Sequence, residues 1–440
     1  MTGRQIPGHI VQCDFEQGIS FLENFLGSEW LNSQTEDSSV ITKLWYRKDF
    51  LSSIELYTLA HAIQKFQNEK NARWFDKFKN HVYNHENIDI ISQSYEIISA
   101  AMFYNRNQLV ELCDVSKPGY DFAIYIDKKT IRVSCKKLLM SDQERLFYEN
   151  ADVLYHELLE YCKKIGLNGI QVFLHLINLE EQIDWLELRK NIIGCINLYS
   201  RDKNRFGFKI GGWFLGIWDM PIDMKDFCYY PNDISILFIC GSPYLQDEQK
   251  RLENLIRRAA RNLKKHSNTI DQDNINMIMI SLPPAVSLTN ARRWLMNKFN
   301  SDYSSITAVF LTRTVPTVEK DLSTMLPLNE VAFVSNPNAK VNWASFVPPG
   351  YVLSATIPFG KISEEESKMF LVADDNFSPT GEVYLFQRGQ IFHEHINGPM
   401  EYTFKRIPGV QHHVVFAPTP GAGQMMVSSI TPPEDAFLIL

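Results

Sequence analysis

Residues 118–138 read PGYDFAIYIDKKTIRVSCKKL. Lys117, Pro118 and Gly119 form a breaker-rich turn, and two alternating runs follow, Tyr120 to Asp127 and Thr130 to Leu138. Side chains on a strand alternate between faces. Tyr120, Phe122, Ile124 and Ile126 therefore share one face, with Asp121, Ala123 and Tyr125 on the other. In the second run Ile131, Val133 and Cys135 oppose Arg132, Ser134 and Lys136. A two-residue loop at Lys128 and Lys129 would pair Asp127 with Thr130, put Ala123 across from Ser134, and carry Asp121 directly across from Lys136. The stretch predicts a β-hairpin on which a carboxylate and an ammonium meet.

The flanks of the hairpin read as helices. Ser92 to Asn105 has helical periodicity and carries Glu96, and Ser141 to Ile165 starts with Ser141 and Glu144 in the pattern of a capping box. A short strand, Gly169 to Leu176, follows. Upstream, apolar residues recur at helical spacing from Leu51 to about Asn84, predicting one long helix or a helical pair used for packing. Residues 1 to 50 are mixed, with a polar, loop-like run from Asn32 to Ser39. Downstream, three apolar strands (Ile234 to Cys240, Asn276 to Leu282, Ile306 to Thr312) alternate with helices at Gln246 to Lys265 and Leu288 to Phe299, which implies parallel β-α-β crossovers. Beyond about Asn336 the chain is richer in Pro and Gly, with short alternating runs. This divides the chain into a helical segment at 1–90, an α/β region at 91–335 and a β-rich region at 336–440.

A carboxylate and a lysine beside a third acidic group are what metal-assisted phosphodiester hydrolysis requires. The carboxylates hold a divalent cation against the phosphate, while the lysine orients or activates water and stabilises developing charge. Here the stretch resembles the PD-(D/E)XK, or restriction-endonuclease-like, nuclease superfamily, across roughly residues 92 to 177. Asp121 in PGYDF matches the superfamily's aspartate, Lys136 in VSCKK its lysine, and Glu96 in SQSYEIISAA its helical glutamate. Where the superfamily has an acid two residues before the lysine, this chain has Ser134. Some restriction endonucleases with Ser-x-Lys take the missing glutamate from the following helix, a place that Glu149 in RLFYEN would fill, with Glu144 as competitor.

The resemblance implies a mixed sheet flanked by helices and a Mg²⁺-dependent nuclease acting on DNA, in bacterial defence against foreign nucleic acid. Asp121 and Glu149 would hold the metal, Lys136 would work on the water, and Glu96 would support the metal shell. The alternative is a fold that has lost its chemistry at Ser134 and serves as a scaffold or nucleic-acid-binding subunit. A homodimer or partner protein fits either reading, since cutting two strands often takes two such cores. A further class, an assembly module acting through the tail, requires neither Asp121 nor Lys136.

Composition narrows the choice. At 440 residues the chain exceeds one ordinary core, and with 45% hydrophobic, 12% aromatic and 22% charged residues it reads as folded throughout. A net charge of -7 excludes coating of nucleic acid by bulk charge, so any contact is a local patch. Arg257, Arg258, Arg261 and Lys264, on the helix from Gln246, are the candidates for phosphate contact, although Asp247, Glu248 and Glu253 are interspersed. Seven scattered cysteines without a CxxC pair point to reduced thiols and a cytoplasmic setting. No secretory pattern opens the sequence, and the aromatic-rich run Ile210 to Trp218 is far short of a membrane span. Two weaker signals carry no assignment: His393 and His395 around Glu394 lack a third ligand, and the stretch from Gly421 to Gly423 lacks a P-loop ending.

Overall fold

The computed structural model describes residue 4, residue 6 and most of 10–346; it leaves out 105–107, 114–118, 177–183, 220–235, 242–246, 267–272, 319–324 and a few shorter stretches. Beyond 346 it describes strand segments and Leu438. The molecule is mixed α/β, with helices flanking a mixed sheet.

From residue 10 to 90 the described residues are largely helical, including the part that is hard to read from sequence: α1 (Gln12–Leu26), α2 (Ser28–Ser33), α3 (Val40–Tyr46), α4 (Phe50–Phe66) and α5 (Ala72–Tyr83). Residues 51–84 are thus a helical pair. The polar run at 32–39 is a capping region, where the Ser39 hydroxyl accepts from the Thr42 N–H at 3.2 Å and starts α3. Gly27 ends α1 at φ +92°, a conformation that favours glycine. Gly18 lets α1 approach α4, since a Cβ there would lie 2.7 Å from the Tyr57 ring. Next comes α6 (Asn87–Phe103), buried on nearly every side.

Three strands, β1 (Leu109–Leu112), β2 (Phe122–Ile126) and β3 (Lys129–Lys137), form an antiparallel meander. The chain then makes α7 (Asp142–Ile165), β4 (Ile170–Leu176), α8 (Trp185–Asp202), β5 (Phe206–Ile210), β6 (Trp213–Asp219) and β7 (Ile236–Gly241). Then follow α9 (Asp247–His266), β8 (Asn274–Leu282), α10 (Leu288–Phe299), β9 (Ala308–Val318), β10 (Met325–Ser335) and α11 (Trp343–Phe346). The later strands are β11 (Phe370–Leu371), β12 (Tyr384–Arg388), β13 (Ile391–His395), β14 (Thr403–Lys405), β15 (Val414–Thr419) and β16 (Gly423–Ser428).

One sheet has the order β1-β2-β3-β8-β9-β10-β11, a second β12-β13-β7-β4-β6-β5, and a third β14-β15-β16. The alternation of β8 shows how the first sheet is sandwiched. Ile275, Met277 and Met279 join the core made with α1 to α6, while Ile278, Ile280 and Leu282 join the core beneath α9 and α10. A separate core, with Leu158, Ile192 and Phe238, lies between α7, α8 and the second sheet.

The expected run of parallel crossovers is therefore split. β8, α10 and β9 form a parallel unit within the first sheet, whereas β7 pairs with β4 in the second. Periodicity identifies a strand, not the sheet it joins, so this partition was not readable in advance.

Candidate functional site

The hairpin turns at Asp127 and Lys128, one residue earlier than the expected loop, and pairs Ile126 with Lys129 and Phe122 with Val133. Asp127 takes φ +53°, which aspartate tolerates better than lysine; that preference is the sequence signal that locates the turn. The register moves by two residues, so every side chain keeps its face. Asp121 now lies diagonally from Lys136, and the two still meet, with Lys136 Nζ 3.7 Å from Asp121 Oδ2.

Further bonds hold the pair. The Asp121 N–H donates to the Val133 carbonyl at 2.8 Å, and Asp121 Oδ2 accepts from the Cys135 N–H at 2.5 Å. Lys136 Nζ also donates to the Cys135 carbonyl at 2.6 Å. Both side chains keep about a quarter of their surface, 23% for Asp121 and 27% for Lys136, and so remain reachable by a ligand. Ser134 is 2% exposed and presents nothing to solvent.

Glu96 reaches this group from α6, which packs on β3. The residue keeps some contact with solvent, but its carboxyl is enclosed by protein and its pKa is pushed up to about 8. Burial is the main cause and the Asp121 carboxylate the next; Lys136 and Lys77 oppose the shift, and Asp89 adds to it. Glu96, Asp121 and Lys136 thus act on one another electrostatically.

Beside them is a cavity of about 510 Å³, lined in part by Glu96, Lys136, Lys137, Arg251, Asn254 and Arg258. It opens where β3 ends, between α6 and α9. β3 runs parallel to β8, and β8 to β9. The carboxyl ends of parallel strands are where open α/β sheets place ligands.

Helix α9 packs Leu252, Ile256, Ala259 and Leu263 against the sheet and turns its basic residues outward. Arg257 is tied to Glu253 at 2.7 Å, and Lys298 approaches the same carboxylate at 3.6 Å. Arg258, Arg261 and Lys264 are exposed and have no ionic partner among the described residues. Of the four predicted phosphate contacts, Arg258 lines the cavity. Arg251, earlier in the basic row of the same helix, donates to the Leu139 carbonyl and lines it too.

The structure does not bring Glu149 to this group. Its helix, α7, packs on β7 in the second sheet, and its side chain is 62% exposed, 4.0 Å from Arg145 one turn back. Glu149 is not among the charges that shift Glu96. The side chain of the competitor Glu144 lies outside the described residues, as do those of His393 and His395 and the turn residues Gly421 and Ala422. Trp213, in the aromatic-rich run, is 6% exposed and belongs to the second core.

The donor set fits a hard divalent cation. Mg²⁺ is commonly bound by one or two carboxylates, the remaining positions going to water and substrate phosphate. Glu96 and Asp121 would be those carboxylates, and their mutual repulsion is of the kind that a cation relieves. Among the described residues, a third acid does not converge with them; the group of such ligands that does converge is elsewhere, at His81, Glu86 and Asp89. The described cysteines are free thiols, and no described helix is long and apolar enough to cross a membrane. Comparison with protein-family models, with curated proteins and with solved structures found no match to this chain.

Proposed function

We propose that the chain is a Mg²⁺-dependent, restriction-endonuclease-like nuclease acting on DNA, in a cytoplasmic defence role, with Glu96 and Asp121 as metal ligands and Lys136 as the residue that works on water. The observation that carries the reading is the Asp121–Lys136 pair, between the residue before β2 and the end of β3, with the Glu96 carboxyl of α6 as its electrostatic neighbour, beside a cavity lined by Glu96, Lys136, Arg251 and Arg258. When bound, the metal supplies Lewis-acid polarisation of the phosphate and a more acidic water. Lys136, 3.7 Å from Asp121, would orient such a water and stabilise negative charge on the phosphate. Arg258, Arg261 and Lys264 then position the phosphate backbone without reading bases.

A second reading has its own support. Ser134 is buried and Glu149 is exposed beside Arg145, which leaves two carboxylates where active members of the superfamily bring more; a nucleic-acid-binding scaffold without chemistry, alone or as one subunit of an assembly, would keep the same cavity and cations. Cleavage of plasmid and single-stranded DNA with and without Mg²⁺ or Mn²⁺ separates the two. The nuclease reading expects metal-dependent cutting that is lost in folded Asp121→Ala and Lys136→Ala proteins. DNA binding without cutting under either metal, unchanged in both variants, supports the scaffold.

A further inference from the structure

The first sheet begins at β1, and among the described residues no strand pairs with its outer edge. The direction of each backbone group along it follows from the ladder. A two-residue turn makes Ile126 and Lys129 a hydrogen-bonded pair, so Phe122 and Ile124 also bond toward β3, while Ala123 and Tyr125 turn their N–H and C=O groups toward β1. The other side of the ladder has the same phase, because the Cys113 N–H donates to the Asp121 carbonyl at 2.9 Å. Leu109 and Glu111, which face Tyr125 and Ala123, are thus bonded to β2. Val110 and Leu112 point their N–H and C=O groups outward, and these groups have no partner among the described residues.

A cavity of about 730 Å³ runs along this edge. Leu109, Val110, Glu111, Leu112 and Cys113 all line it; a cavity over one face of the strand would meet alternate residues, so this one follows the backbone. The opposite wall, from the end of α4 to the start of α5, carries Lys65, Glu69, Lys70 and Arg73. Lys65 donates to the Ala101 carbonyl at 3.3 Å, while Lys70 and Arg73 are exposed and have no partner among the described residues. Glu111 is engaged by Tyr125. Open edges are usually blunted by lysine, proline or a bulge, but β1 reads LVEL and leaves Leu109 55% exposed.

We infer that β1 is a strand-addition site: an extended peptide segment with acidic side chains pairs with Val110 and Leu112 and sets its carboxylates against Lys70 and Arg73. Outward donors and acceptors at strand spacing are matched by another extended backbone, which favours a peptide over a nucleic acid. The cationic wall, with Glu69 as its single acid, selects the charge of the partner's side chains. The inference is independent of the nuclease reading, since it uses none of that site's residues.

The test is amide hydrogen exchange on the full chain with a blocked octapeptide of alternating valine and glutamate, and with its lysine counterpart. The glutamate peptide is expected to slow exchange at Val110 and Leu112 by roughly tenfold, to leave Leu109 and Glu111 unchanged, and to lose roughly tenfold in affinity against Lys70→Glu/Arg73→Glu. Leu112→Pro, which removes an outward donor without touching the ladder to β2, abolishes the effect in a protein whose β8 exchange is native. Should that variant unfold, the charge-reversal protein decides alone, because it alters only exposed residues. Absence of protection at Val110 and Leu112, or equal protection by both peptides, overturns the inference.

Discussion

Glu96 concentrates the electrostatic cost of the site. Its carboxyl is held above its ordinary range, to about 8, by burial first and Asp121 second. In the unfolded chain the same group ionises in the ordinary carboxylate range. A raised carboxyl pKa means that the folded state binds the extra proton, so the contribution to stability is fully present below the unfolded pKa and is lost as pH rises through about 8. Thermal melts of the metal-free protein should therefore fall between those limits by more than those of Glu96→Gln, and Glu96→Gln should be the more stable protein at the alkaline end. Parallel melting curves for the two would contradict this. Asp121 and Lys136 were legible in the sequence because the strand period fixes the face even when the register slips by two. The helix of Glu149 packs on the second sheet, and nothing in RLFYEN tells which sheet a helix covers.

At the scale of elements, the hairpin and α9 carry separate predictions. Asp127 sits at φ +53°, where a β-branched residue is strained; Asp127→Val should cost about 1–3 kcal/mol in denaturant unfolding, and Asp127→Gly much less. On α9, replacing Arg258 and Arg261 with glutamine should weaken DNA binding uniformly across sequences and lower the salt slope by about 1 for each phosphate no longer neutralised. Arg257→Gln should do less, since that guanidinium is committed to Glu253. The existence of most of these elements was readable from periodicity and capping signals. The assignment of β4 and β7 to a second sheet was not, because two apolar strands look alike whichever core they enter.

At the scale of the whole molecule, distant parts of the chain close on the same core. Leu438 is fully buried within it; its N–H donates to Glu55 on α4 at 2.8 Å, and its carbonyl accepts from Lys137 on β3 at 3.0 Å. Lys137 also lines the cavity beside Lys136, so this contact braces the wall of the candidate site. Leu438→Ala should cost about 2–5 kcal/mol, as large-to-small core changes do, and a loss below roughly 1 kcal/mol would show that the contact is peripheral. Nothing in the sequence paired positions so far apart, because periodicity carries no long-range information.

The most direct measurement is a calorimetric titration of Mn²⁺ into the metal-free protein at a pH above the Glu96 transition, repeated with Asp121→Ala, Glu96→Ala and Glu149→Ala. A metal site of Glu96 and Asp121 predicts binding that disappears in the first two and persists in the third. Binding that survives Asp121→Ala and Glu96→Ala, or that is lost with Glu149→Ala, would contradict it.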